Sequence, residues 1–102
     1  MPKVPINSIS SSIKNDLLSR LFNKMARIKD TRQMGDFLGD VLFESELVMI
    51  VRRLQIAKML ERGAQYSEIK RELEVGDSTI AEVRRNLETS SGGFKRFVKE
   101  LW

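Results

Sequence analysis

Cysteine and histidine are both absent from these 102 residues. Their absence excludes disulfides, thiolate and imidazole metal sites, cysteine nucleophiles and the commonest general base. An enzyme would have to work with carboxylates and lysines. No paired-carboxylate, phosphate-cradling or nucleophile-elbow pattern occurs, and Gly35, Gly39, Gly92 and Gly93 do not make one. The chain therefore reads as a non-enzyme, with no catalytic residue, metal or cofactor expected. No apolar run approaches the roughly 18 residues that a bilayer span needs, and MPKVPINSIS lacks a signal-peptide apolar region, so a cytoplasmic location away from membranes is expected. Proline occurs only at Pro2 and Pro5, and residues 1–9 read as a flexible extended arm. The length suits a single domain, residues 10–102.

What is present is apolar patterning at helical spacing. Ser10 to Ser12 can cap a first helix running to about Ile28, with Ile13, Leu17, Leu18, Leu21, Phe22, Met25 and Ile28 as a broad stripe. Asp30 or Thr31 can cap a second helix bearing Met34, Phe37, Leu38, Val41 and Leu42. Gly35 and Gly39 lie one turn apart on it, each costing about 1 kcal/mol in propensity, which implies either close packing there or local softness. Ser45 is the expected cap of a third helix, about residues 46–62, so apolar between Leu47 and Leu60 that burial is expected, and Gly63 should end it left-handed. Near the end, Ser90, Ser91, Gly92 and Gly93 form a turn before Phe94, Phe97, Val98 and Leu101. The fold expected is all-α with about six helices. Three broad apolar helices offer more surface than so short a chain hides, which favours a homodimer with interleaved N-terminal halves; a compact monomeric bundle is the alternative.

Between these lies YSEIKRELEVGDSTIAEVRRNL, two short helices joined by a tight turn. Tyr66, Ile69 and Leu73 form one inward stripe, and Ile80, Val83 and Leu87 the other. Glu74-Val75-Gly76 breaks the pattern, with Gly76 able to take positive φ and Val75 able to fill the angle, while Asp77 or Ser78 can cap the second helix. This is helix-turn-helix chemistry over about residues 66–88. Opposite the second stripe lie Ser78, Ala81, Glu82 and Arg85, flanked by Thr79 and Arg84, a low-relief face that suits a major groove about 12 Å wide. The same spacing also serves an amphipathic pair whose outer face is merely solvated, and spacing alone leaves both readings open.

Charge does not decide between them. Residues 1–33 carry seven basic and two acidic side chains, whereas residues 44–91 carry eight basic and nine acidic. Phosphate attraction would have to come from individually placed cations or from Lys3, Lys14, Arg20, Lys24, Arg27, Lys29 and Arg32.

ESELVMIVRRLQIAKMLERG, then YSEIKRELEVGDSTIAEVRRNLE, then the Gly-Gly-Phe-Lys-Arg ending resemble the Trp-repressor-like superfamily, most closely its YerC/YecD branch. The resemblance implies an intertwined all-helical homodimer that presents two helix-turn-helix heads to double-stranded operator DNA and regulates transcription, usually as a repressor. Carried over by position, it places Ser78, Thr79, Ala81 and Arg85 at bases, and Lys70, Arg71 and Arg84 at phosphates. Gln65 stands where the family has a capping Ser, Asp77 where the branch often has Thr, and Glu82 where it has Arg. In the tryptophan-responsive member the indole sits between two arginines. Here one is kept as Arg53, while Glu82 replaces its partner, Val83 the neighbouring Gly and Phe43 the junction Thr. Tryptophan is accordingly not expected as a corepressor; Arg53 and Glu82 would mark a vestigial effector pocket, with Glu82 expected to pair with Arg85 or Arg53 and so be silenced. The rival from another class is a helical protein–protein interaction module that has lost DNA binding, supported by the near-neutral charge of residues 44–91.

Overall fold

Local chemistry starts the first helices. The Ser10 hydroxyl accepts from the Ile13 N–H at 3.2 Å, and the Asp30 carboxylate from Gln33 N–H at 3.1 Å, each satisfying an N–H that has no partner inside its helix. A computed structural model describes residues 9–89 and 91–102, and among them lie only helices. These are α1 (Ser11–Met25), α2 (Thr31–Val41), α3 (Glu44–Glu61), α4 (Tyr66–Leu73), α5 (Asp77–Thr89) and α6 (Gly93–Glu100). The expected arm lies outside the described residues except for Ile9, as does Ser90 of the expected turn. The chain divides into two units, one reaching to Val41 and the other Leu42–Trp102.

In the first unit neither helix buries a residue. The α1 stripe forms as expected, yet Ile13, Leu17, Leu18, Leu21 and Phe22 remain between 40% and 62% exposed. A methyl built on Gly35 or Gly39 would meet no atom within 4 Å, so nothing among the described residues packs closely there.

The second unit has a core. Ile56, Ala57 and Met59 of α3, Ile69 of α4, Ile80, Val83 and Leu87 of α5 and Val98 of α6 are buried together, with Tyr66, Leu73, Val75 and Phe94 packed around them. Helix α3 is the platform, contacting α4, α5 and α6. It begins before Ser45, because the Glu46 carboxylate reaches back to accept the Phe43 N–H at 2.8 Å. Ser45 is therefore not its cap. It ends at Arg62 with Gly63 at φ 83°, and Ala64 N–H donates to Met59 O at 3.0 Å, closing a Schellman motif. Only its C-terminal half is buried, contrary to expectation: Val48, Met49, Ile50 and Val51 are 41–49% exposed, since α4, α5 and α6 all gather on the far half.

Helix α6 begins after Gly92, at φ 98°, and is fastened to α3 at three points. Lys58 Nζ donates to Val98 O at 3.4 Å, Trp102 Nε1 donates to Gln55 Oε1 at 3.2 Å, and Lys99 lies 3.7 Å from the Glu61 carboxylate. Val98 is buried, but Phe97 and Leu101, which share its stripe, are exposed.

Candidate nucleic-acid interface

Ile69, Ile80 and Val83 are 0–2% exposed, and their burial fixes how α4 and α5 are rolled. The turn between them places Glu74 in the left-handed region, φ 54° and ψ 46°, with its N–H donating to Lys70 O at 2.9 Å. Gly76, expected to supply positive φ, does not. The left-handed residue is the one directly after α4, where it closes that helix, and the chain bears the cost of a non-glycine there. Val75 fills the angle as its spacing implied. Gln65 opens α4 without a side-chain cap, consistent with the missing Ser at that position.

With the inward stripe seated, α5 presents Ser78, Ala81, Glu82 and Arg85 to solvent. Thr79 does not share that face. It is half-buried and lines a hollow of about 190 Å³ with Met49, Arg52, Arg53, Glu82 and Val83. At about 100° per residue Thr79 falls on the flank that faces α3. Arg84 falls on the opposite flank, where its guanidinium stands 5.3 Å from the Tyr66 ring centroid, a cation–π contact. It also borders a hollow of about 180 Å³ with Leu60, Glu61, Leu87, Glu88 and Lys95.

Among the predicted phosphate contacts, Arg71 is exposed and makes no ion pair among the described residues. Lys70 is paired: its Nζ lies 3.4 Å from one Asp77 carboxylate oxygen and 3.5 Å from the other, linking α4 to the first residue of α5.

Arg53 and Glu82 do line one hollow, but no ion pair joins Glu82 to Arg53 or Arg85 among the described residues. The pairing expected of Glu82 is thus not formed, and Arg53 makes no ion pair among the described residues. Arg53 instead borders a second, mainly apolar hollow of about 280 Å³ with Ile50, Leu54, Asn86 and Phe94. Sequence reasoning missed Arg52, which joins Arg53 in the smaller hollow, as well as the Tyr66–Arg84 and Lys70–Asp77 contacts. Each depends on side chains meeting across the turn or across α3 and α5, which linear spacing does not display. No group of three or more acidic side chains among the described residues is arranged to hold a metal ion, and no helix there is long and apolar enough to cross a membrane.

Comparison with known proteins places this geometry. Residues 16–102 match the family described as Trp repressor protein. Uncharacterized protein YerC of Bacillus subtilis (strain 168) is 30% identical over 78 residues, covering 76% of this chain and 75% of that protein. The crystal structure of a candidate Trp repressor from Staphylococcus aureus superposes with a TM-score of 0.76 over 95% of this chain and 93% of that one; at 23% identity it speaks for the fold. With its helical pair intact, the chain belongs to the Trp repressor family, on the branch that includes YerC.

Proposed function

We propose that the protein is a homodimeric, sequence-specific DNA-binding regulator of transcription, acting as a repressor through α5 in the major groove. The observation that carries this reading is the strip Ser78, Ala81, Glu82 and Arg85, exposed on the side of α5 opposite the buried Ile80 and Val83. Its side chains are short or hydrogen-bonding, and those nearest the helix N-terminus reach base edges first. Arg85 reads a guanine edge, Ser78 and Ala81 lie close to bases, and Thr79 supports the groove contact from the flank. Glu82, being unpaired, accepts from cytosine N4 and so selects sequence rather than lying silent. Arg71 and Lys70 hold phosphates, and Arg84, braced on Tyr66, approaches the backbone at the edge.

The uncovered stripe of α1 and the exposed start of α3 support a dimer in which these surfaces cover one another. Two heads would then read half-sites about 34–36 Å apart. Selection from a random duplex library, with sedimentation of the complex, tests the reading. A two-fold symmetric site bound by two protomers is expected; absence of binding even at about 50 mM salt rejects it.

Free tryptophan does not suit the hollow beside Arg53. Glu82 sets a carboxylate there against the ligand's own, and Val83 occupies room beside it. Titration calorimetry should show no tryptophan binding, and operator affinity should not respond to it. The reading as a protein-interaction module is favoured by the near-neutral charge of residues 44–91 and predicts no duplex affinity at low salt.

A further inference from the structure

The geometry points to Asp77 as a built-in competitor for DNA phosphate: its carboxylate holds Lys70 at the mouth of the recognition helix and lowers sequence-independent affinity. This rests on the DNA-binding reading above and goes beyond it, since nothing in that reading requires an acid at this position.

Asp77 is the first residue of α5 and is exposed, as is Lys70. The first turn of a helix carries unsatisfied N–H groups and a partial positive charge, which favours a nearby anion. Beside a lysine, that is the environment in which a DNA phosphate is ordinarily held. Here the chain supplies its own anion: Asp77 lies 3.4 Å from Lys70 Nζ through one oxygen and 3.5 Å through the other. The contact crosses the α4–α5 turn between residues seven apart in sequence, so it is made by the fold and not by helical proximity. No other ion pair among the described residues involves α4 or α5.

A phosphate that approaches α5 therefore meets a like charge and finds Lys70 engaged. To use that lysine, DNA must displace Asp77, and the carboxylate stays nearby. The net charge offered to the backbone here is near zero instead of +1. Base-edge contacts made by Arg85 and Glu82, further along α5, are untouched. Asp77 thus restrains the phosphate component of binding, common to every duplex, and leaves sequence reading to the rest of the strip.

One added phosphate contact steepens the dependence of log K on log salt by about 0.9 on duplex DNA, so its benefit changes by a factor of about three between 50 and 200 mM salt. Asp77→Asn keeps a side chain of the same shape that is well tolerated at a helix start. The full-length Asp77→Asn protein should bind the selected site and a random duplex more tightly by a similar factor, about threefold to tenfold at 50 mM salt, with the salt slope steeper by about 0.9. Lys70→Met should weaken binding in both backgrounds, but less in the natural chain, where Asp77 already engages the lysine, than in the Asp77→Asn background, where it should also remove the whole gain. Helicity and thermal melting establish that each variant is folded. If Asp77→Asn binds no more tightly than the natural chain, or gains only on one sequence, Asp77 is not a phosphate competitor, although the natural protein's own binding keeps the DNA reading intact. An equal cost of Lys70→Met in both backgrounds overturns the pairing as the cause. If neither the natural chain nor Asp77→Asn binds duplex at 50 mM salt, both readings fall together.

Discussion

Helices α1 and α3–α6 are all striped with apolar residues, yet the stripes meet different fates. In the unit Leu42–Trp102 the stripes of α4, α5 and α6 close on one half of α3, leaving Ile56, Ile69, Ile80 and Val98 with no exposure. In the unit before it, α1 leaves Phe22 62% exposed and Ile13 56%. The same periodicity thus describes a core that one chain completes and a surface that one chain leaves open. Periodicity says that a face must be covered. It does not say by which molecule.

That contrast can be broken most forcefully at α1. Leu17→Glu combined with Phe22→Glu places four charges in the proposed two-fold interface, and should weaken dimerisation by three orders of magnitude or more, about 4 kcal/mol, by sedimentation. The circular dichroism of the α3–α6 unit should persist. A variant that remains dimeric would show that α1 is not the covered surface.

A smaller effect sharpens the other side. Ile80→Ala, at a site with no exposure, should lower unfolding free energy by about 2–5 kcal/mol in chemical denaturation. Ile13→Ala, made on the monomeric double-glutamate background, should change it by less than about 0.5 kcal/mol.

Within the strip, Arg85→Ala should cost about 1–3 kcal/mol at one base position and relax preference there, while Arg71→Ala should weaken all sequences alike and lower the salt slope by about 1. Competition titrations at several salt concentrations separate the two. Equal losses on specific and random DNA from Arg85→Ala would remove it from the groove. Tyr66→Leu should lower stability by about 0.5–1 kcal/mol through loss of the ring face under Arg84, with Tyr66→Phe near neutral in thermal melting.

How much of this was legible depended on how local the cause is. The caps at Ser10 and Asp30, the stop at Gly63 and the inward triad Ile80, Val83 and Leu87 follow from chemistry spanning a few residues, and all were readable. The start of α3 was not, because Ser45 is a good cap by type while Glu46 offers a competing one to Phe43. The left-handed residue of the turn was misplaced for a similar reason. Glycine favours positive φ, but the end of α4 decides where it is needed, and that is Glu74. For the candidate site, the outward strip and its flanks at Thr79 and Arg84 were legible, whereas what each flank meets was not. Thr79 turns towards α3 and Arg84 towards Tyr66 because α5 is rolled by its core contacts, and the family resemblance gives position along the helix without that roll.

The fastening of α6 to α3 has a consequence for how the molecule is made. Trp102 joins Gln55 across 47 residues, and Lys58 joins Val98 across 40. During synthesis α4 and α5 emerge before the segment that seals their platform, and loop closure over such separations slows assembly. The α4–α5 pair of a nascent chain therefore gains its final wall only when α6 leaves the ribosome.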